Sequence, residues 1–81
     1  MSGRVDRFRH GAALAVLLGD WSSGEGPLYR KLADALGRAA DEGALAVGQR
    51  LPSERELARS LAVSRATVVA AYEDLRGRGV L

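Results

Sequence analysis

The strongest constraint on the fold lies in residues 51–68, where two short apolar segments each follow a serine. Ser53 has Glu56 three residues after it, which is the spacing of a capping box. In such a box the hydroxyl accepts an amide proton of the first helical turn, and the carboxylate accepts the amide proton of the cap residue. Ser64 holds the same position before a second segment that begins at Arg65. Two capped helices joined by a short link are typical of a helix-turn-helix.

The turn between these two helices carries an alanine, Ala62, where the backbone is expected to need a positive φ angle. Glycine adopts that conformation freely, whereas the Cβ atom of alanine is crowded there. We therefore predict a left-handed conformation at Ala62, at a cost of about 1 kcal/mol.

Apolar residues at helical spacing predict three helices, near residues 28–42, 54–61 and 65–76. Gly43 is expected to end the first helix and Gly77-Arg78-Gly79 the last. The predicted shared core consists of Leu32, Leu36, Leu57, Leu61, Val68, Tyr72 and Leu75. Tyr29 is interpreted as a further core residue, with a phosphate contact as the alternative. Arg76 and Arg78 are expected to interact with the carbonyls and the dipole at the end of the last helix.

The composition is that of one small domain with few reactive side chains. Eighty-one residues, 47% of them hydrophobic, can bury a single core of modest size. The absence of cysteine excludes a disulfide or a thiolate metal site and fits a reducing compartment. His10 has no second ligand at metal spacing, so no metal is expected. These features predict a cytoplasmic protein.

Arginine dominates the basic residues, since Lys31 is the only lysine among twelve lysines and arginines. The formal net charge is only +2, which excludes a polybasic tail. The planar guanidinium fork suits phosphates and guanine edges better than an ammonium group does. An arginine-rich genome composition would produce the same bias, so both explanations stay open.

Residues 1–26 are interpreted as an N-terminal arm followed by a flexible joint. The arm places basic residues before the apolar run 12–18, which superficially resembles a signal peptide. No small-residue cleavage pattern follows, and the run is too short to span a membrane. We therefore expect a short helix or an extended arm that packs on the domain or on a partner subunit. The composition of residues 22–26 is that of a flexible joint.

A dense set of motif residues is spread over about residues 14–81. They are Pro27-Leu28-Tyr29, Gly43-Ala44-Leu45, Gly48, Leu51-Pro52-Ser53-Glu54-Arg55-Glu56-Leu57-Ala58, Val63-Ser64-Arg65, Thr67-Val68, Ala71-Tyr72, Leu75 and Gly79. This set resembles the N-terminal DNA-binding domain of GntR-family bacterial transcription regulators. The runs Leu17-Leu18-Gly19-Asp20-Trp21 and Val68-Val69-Ala70-Ala71-Tyr72 further resemble the MocR-type subgroup.

The resemblance implies a mainly α, three-helix winged helix-turn-helix domain over residues 27–81, which binds double-stranded operator DNA as a homodimer. In such a domain the segment before Pro52 pairs with the strands of the wing, and Val80-Leu81 would begin a strand. The chain ends there, so we expect a fragment from which the wing hairpin is absent. MocR-type members carry pyridoxal phosphate in a further aminotransferase-related domain, and no cofactor is expected in this chain.

Five residues are predicted to contact DNA: Ser53, Arg55, Ser64, Arg65 and Thr67. Arg65 opens the helix that enters the major groove and can reach a guanine or a phosphate, while Thr67 suits a phosphate or a thymine methyl group. Arg55 opens the helix that crosses the DNA backbone, so a phosphate is its expected partner, with the neighbouring Glu56 as the alternative. The two serines lie at helix N-termini, which attract phosphate oxygens.

The outward side of the recognition helix is predicted to hold Ala66, Val69, Ala70 and Glu73. Other members of the family often have a polar or basic residue in place of Val69. Hydrogen-bonded base recognition is therefore not expected at that position, and apolar contact remains.

Three classes of function compete. An operator-binding domain is favoured by the motif set. An enzyme is disfavoured, because the sequence has no glycine-rich phosphate loop, no nucleophile with a base and no carboxylate pair, and Lys31 on an amphipathic helix is a poor Schiff-base candidate. A protein-interaction module is the remaining alternative, since helix-turn-helix folds also serve as docking domains.

Overall fold

The computed structural model describes residues 13–43 and 51–80. Residues 13–18 form helix α1, which is followed by α2 (Leu28–Asp41), α3 (Glu54–Leu61) and α4 (Arg65–Gly77). The three predicted helices are thus confirmed to within one residue at each end. The described residues contain no strand, and the mainly α-helical fold class is confirmed. The extended segment predicted before Pro52 and the strand predicted at Val80-Leu81 lie largely outside the described residues.

Helix α4 is the centre of the domain, because it packs against both α2 and α3. The core side chains of the described residues come from all four helices; they are Leu14, Leu32, Ala33, Leu36, Ala39, Leu57, Ala58, Val68, Ala71, Tyr72 and Leu75. Each large apolar side chain that is fully removed from water contributes about 1.5–3 kcal/mol. No charged side chain of the described part is buried. Apolar packing around α4 therefore holds the helices together.

Two residues differ from the predicted core. Leu61 is the last residue of α3 and packs at the edge of the core, where it stays partly exposed. Tyr29 is also partly exposed and is not part of the core, so its interpretation as a core residue is wrong. The first turn of α2 extends beyond the core, as the neighbouring Leu28 shows by being 38% exposed. The other predicted core residues are buried as expected.

Part of the predicted arm packs on the domain. Leu14 of α1 is buried in the core, and Leu18 and Trp21 pack against it. The Nζ atom of Lys31 donates hydrogen bonds to the carbonyl oxygens of Ser22 and Gly24, at 2.8 and 2.9 Å. The ammonium group of Lys31 on α2 therefore binds the joint that precedes this helix. The boundary predicted at residue 26 stays a prediction, and residues 1–12 lie outside the described residues.

An arginine bridge joins α2 to the end of α4. Arg78 Nη2 donates hydrogen bonds to Asp34 Oδ1 at 2.8 Å and to Asp74 Oδ2 at 3.0 Å, while its Nε donates to Asp74 Oδ1 at 3.1 Å. These hydrogen bonds lower the pKa of the Asp74 carboxyl group. The expectation that Arg78 would donate hydrogen bonds to the last carbonyls of α4 is wrong. Its side chain donates instead to two carboxylates, which form stronger, charge-assisted hydrogen bonds.

The predicted helix ends are confirmed. Ala62 has φ 58° and ψ 44°, which is the left-handed conformation expected of it. The amide of the next residue, Val63, donates to the carbonyl oxygen of Ala58 at 3.0 Å and closes α3. Gly43 and Gly79, with φ of 79° and 81°, follow the ends of α2 and α4. The turn between α3 and α4 is thus a defined structure that fixes the direction in which α4 leaves α3.

Leu57 and Leu61 of α3 provide a matched test of the core. We expect Leu57→Ala to lower the free energy of unfolding by about 2–5 kcal/mol, because Leu57 is fully buried and its loss leaves a cavity. Leu61→Ala should lower the free energy of unfolding by only about 1–2 kcal/mol, because Leu61 is already partly exposed. Urea unfolding followed by circular dichroism measures both. Equal losses would contradict the edge position of Leu61.

Ala62→Gly tests the strain in the turn. Glycine relieves the crowding at positive φ but has more freedom in the unfolded chain, so the net effect should lie between neutral and about 1 kcal/mol of stabilisation. Ala70→Gly, inside α4, is the control and should destabilise the domain by about 1 kcal/mol. Thermal unfolding of both variants gives the comparison. If Ala62→Gly destabilised the domain as much as Ala70→Gly, the left-handed turn would be incorrect.

Candidate nucleic-acid interface

The N-terminus of α4 is capped by Ser64. Its Oγ atom accepts a hydrogen bond from the amide of Thr67 at 3.2 Å and lies 2.9 Å from Thr67 Oγ1. The two hydroxyl groups are therefore hydrogen-bonded to each other, which fixes the side chain of Thr67 at the start of the helix. The predicted cap is confirmed. The other amides of the first turn of α4 have no acceptor within the helix and can bind an anion.

The N-terminus of α3 has the predicted capping box. The amide of Glu56 donates to Ser53 Oγ at 3.1 Å, and the amide of Ser53 donates to Glu56 Oε1 at 3.0 Å. Both partners of the box are thus committed to the helix. Any further contact of Ser53 would have to use the remaining capacity of its hydroxyl group, because one lone pair is already engaged.

A buried hydrogen bond connects the start of α3 to α4. Tyr72 Oη donates to the carbonyl oxygen of Pro52 at 2.8 Å. Burial raises the pKa of the Tyr72 hydroxyl above its usual value, so the group stays protonated and able to donate. Local spacing gave no signal for this bond, because its partners are 20 residues apart. It places the residue before Ser53 against the middle of the recognition helix.

The N-terminal turns of α3 and α4 lie within side-chain reach of each other. Glu54 Oε1 is 3.6 Å from Arg65 Nη2, and the Arg65 side chain is 62% exposed. The structure therefore brings Glu54, which lies between Ser53 and Arg55 in the chain, close to the helix end that carries Ser64, Arg65 and Thr67. The sequence did not indicate that Glu54 would pair with Arg65.

Arg55 is exposed at the start of α3. Within the part of the chain that the structure describes, no carboxylate forms an ion pair with it. The alternative interpretation, in which Arg55 pairs with Glu56, is therefore not supported by the structure. Arg55 is available to a phosphate.

The outward face of α4 is largely apolar. Ala66 and Glu73 are exposed, and Val69 and Ala70 are partly exposed, in agreement with the predicted outward side. Small side chains let a helix backbone approach another surface closely. Apart from Glu73, this face offers apolar contact rather than hydrogen bonds.

Other types of site are not found in the described residues. No group of histidine and acidic side chains there could hold a metal ion. None of the helices in residues 13–43 and 51–80 has the length and hydrophobicity needed to cross a bilayer. A groove between α1 and α2 is lined by Leu17, Leu18, Ala35, Arg38, Ala39 and Glu42, none of which is a predicted site residue.

Comparison with known proteins identifies the family. The sequence pattern described as "Bacterial regulatory proteins, gntR family" matches residues 28–81. The chain is 40% identical to the Glc operon transcriptional activator of Escherichia coli (strain K12) over 55 residues. This aligned region makes up 68% of this chain and 22% of that protein. The chain is also 43% identical to the HTH-type pyridoxine biosynthesis transcriptional regulator PdxR of Corynebacterium glutamicum over 51 residues. That aligned region makes up 63% of this chain and 11% of that protein. No solved structure matches the chain at a significant level.

The chain spans about a fifth or less of the length of these curated relatives. The matched region nevertheless includes all of α2, α3 and α4, and so contains both capped helices and the turn between them. Together, the family match and the two-helix geometry show that the chain belongs to the gntR family of bacterial regulatory proteins, with α3 and α4 as its helix-turn-helix DNA-binding unit.

Proposed function

We propose that this domain recognises operator DNA by placing the N-terminal end of α4 in the major groove. The observation that carries the proposal is the exposed guanidinium of Arg65 at the capped start of a helix whose outer face bears small side chains. The major groove admits an α-helix, and helix-turn-helix domains present the first residues of the second helix to the base edges. The geometry of α3 and α4 fits that arrangement.

Arg65 and Thr67 are the proposed base contacts. The fork of Arg65 can donate two hydrogen bonds to O6 and N7 of a guanine. The hydroxyl of Thr67 is hydrogen-bonded to Ser64, so its methyl group is assigned to a thymine methyl, while the hydroxyl keeps capacity for a further hydrogen bond. Val69 adds apolar contact only.

Arg55, Ser53 and Ser64 are the proposed phosphate contacts. Arg55 has no carboxylate partner among the described residues and lies on the helix that crosses the DNA backbone. The two serines cap helix N-termini, where the remaining amides and the positive end of the dipole favour a phosphate oxygen. These contacts position the domain without selecting a sequence.

The regulator is further proposed to be of the MocR type. The support is the resemblance of residues 17–21 and 68–72 to that subgroup, together with the 43% identity to the pyridoxine biosynthesis regulator. In this subgroup pyridoxal phosphate belongs to an aminotransferase-related domain, so we expect neither a cofactor nor a metal in residues 27–81. A cytoplasmic location is expected for such a regulator. The coding DNA downstream of residue 81 tests the assignment.

The active form is proposed to be a homodimer on paired half-sites. A single domain with two base-contacting side chains and a formal net charge of +2 offers little affinity by itself. Two copies held together convert the second binding event into an intramolecular one. Operators of helix-turn-helix dimers accordingly place their half-sites about one helical turn apart.

Arg65→Ala and Arg55→Ala should separate base recognition from phosphate binding. A duplex selected by the wild-type chain from a random pool and a scrambled duplex serve as ligands at two salt concentrations. Arg65→Ala should cost about 1–3 kcal/mol on the selected duplex and much less on the scrambled one. Arg55→Ala should weaken binding to both duplexes alike. It should also reduce the slope of log affinity against log salt concentration by about one unit.

The control is Arg76→Ala, which removes the same charge from the far end of α4, about 16 Å along the helix axis at a 1.5 Å rise per residue. It should change both affinities little. If Arg65→Ala lowered both affinities equally, Arg65 would be a phosphate clamp. If none of the variants changed DNA binding, α3 and α4 would not form the DNA-contacting surface, and the protein-interaction alternative would take its place.

Dimerisation is tested by fusing the chain to a parallel coiled coil. Because avidity commonly adds about 10²–10⁴-fold, the fused dimer should bind a duplex with two half-sites at least about a hundredfold more tightly than the unfused chain. A duplex with one half-site is the control and should show little difference. Equal affinities on the double site would contradict the prediction and would indicate that residues 1–21 already dimerise the chain.

A further inference from the structure

We propose that Glu54 is a specificity-determining residue, which pairs with Arg65 and thereby makes that arginine a reader of base edges rather than a phosphate clamp. The inference rests on the proposed function, since it needs Arg65 at the DNA surface. It adds to that function a residue of the opposite charge, which acts on DNA binding through Arg65.

The geometry that supports this role is the approach of two helix starts. Glu54 is the first residue of α3 and Arg65 the first residue of α4. Their Oε1 and Nη2 atoms are 3.6 Å apart, and their side chains are 31% and 62% exposed. The distance is that of an ion pair but is too long for a good hydrogen bond. Most donors of the guanidinium therefore remain available to DNA.

Helix stability alone does not account for this ion pair. The capping box of Ser53 and Glu56 already satisfies the start of α3, and Ser64 caps α4. An ion pair as exposed as this one adds little to stability. A carboxylate also favours the positive end of the α3 dipole, but that effect does not require a partner on α4.

The pair changes what Arg65 gains from each kind of DNA contact. A phosphate attracts mainly the net charge of the arginine, and the adjacent carboxylate cancels much of that charge. A guanine edge attracts the directed N–H groups, and the guanidinium carries five of them in a fixed plane. One edge can face Glu54 while another donates to O6 and N7. The carboxylate thus penalises the nonspecific contact more than the specific one, which is how a repulsive element raises specificity.

Glu54→Gln tests the proposal in the full 81-residue chain, with a scrambled duplex and the duplex selected by the wild type as probes. Loss of an exposed ion pair should raise affinity for the scrambled duplex about two- to fivefold. Affinity for the selected duplex should stay the same or fall, so the ratio of the two affinities decreases. Glu25→Gln, which removes the same charge from the exposed segment before α2, is the control and should leave the ratio unchanged.

A second background distinguishes an effect through Arg65 from direct repulsion of DNA. In the Arg65→Ala chain, Glu54→Gln should no longer change affinity for the scrambled duplex. A gain that persisted there would overturn the proposal, because the carboxylate would then act on phosphates by itself. An unchanged affinity ratio in the wild-type background would overturn it as well. Thermal melting confirms that each variant is folded, and any loss of stability would weaken binding rather than produce the expected gain.

The outcomes also separate this inference from the proposed function. If neither the folded wild-type chain nor its coiled-coil fusion selected a duplex, the DNA-binding role would fail and the inference with it. If Arg65→Ala lost affinity for the selected duplex while Glu54→Gln left the ratio unchanged, the proposed function would stand and only the role of Glu54 would be overturned.

Discussion

The hydrogen bond from Tyr72 to the carbonyl oxygen of Pro52 fixes the relation between α3 and α4, the two helices of the helix-turn-helix. Both groups are removed from water, so leaving either of them unpaired would be costly. Tyr72 lies on the inward side of α4, while Pro52 comes directly before the cap of α3. The bond therefore ties the start of one helix to the middle of the other. Packing of Leu57 against the same core completes the constraint.

Local sequence signals predicted the parts of the domain that depend on neighbouring residues. The capping box at Ser53, the cap at Ser64 and the left-handed Ala62 all involve groups within a few residues of one another, and the structure confirms each of them. Helix ends and the apolar faces follow in the same way, because a period of 3.6 residues is visible in any short segment. The DNA contacts proposed for residues at these helix starts stay predictions.

Longer-range pairings could not be predicted from spacing. The bond from Tyr72 to Pro52 spans 20 residues, and the bridge from Arg78 to Asp34 spans 44. Local patterns placed Tyr72 in the core and Arg78 at a helix end, but neither could identify a partner on another element. The partial exposure of Leu61 and Tyr29 could not be predicted for a similar reason. A helical stripe of apolar residues shows which side of the helix faces inward but not where the core ends.

The ion pair between Glu54 and Arg65 shows why an interaction of little value for folding can matter for binding. In the free domain both side chains are at least partly hydrated, and water screens their attraction. When DNA covers the surface, water leaves and the same charges interact more strongly with each other and with the phosphates. A carboxylate beside the arginine then decides whether that strengthened field favours any phosphate or only a base edge that accepts two directed hydrogen bonds. In the proposed complex, selectivity at α4 therefore depends on a residue of α3, and the turn at Ala62 joins the two helices.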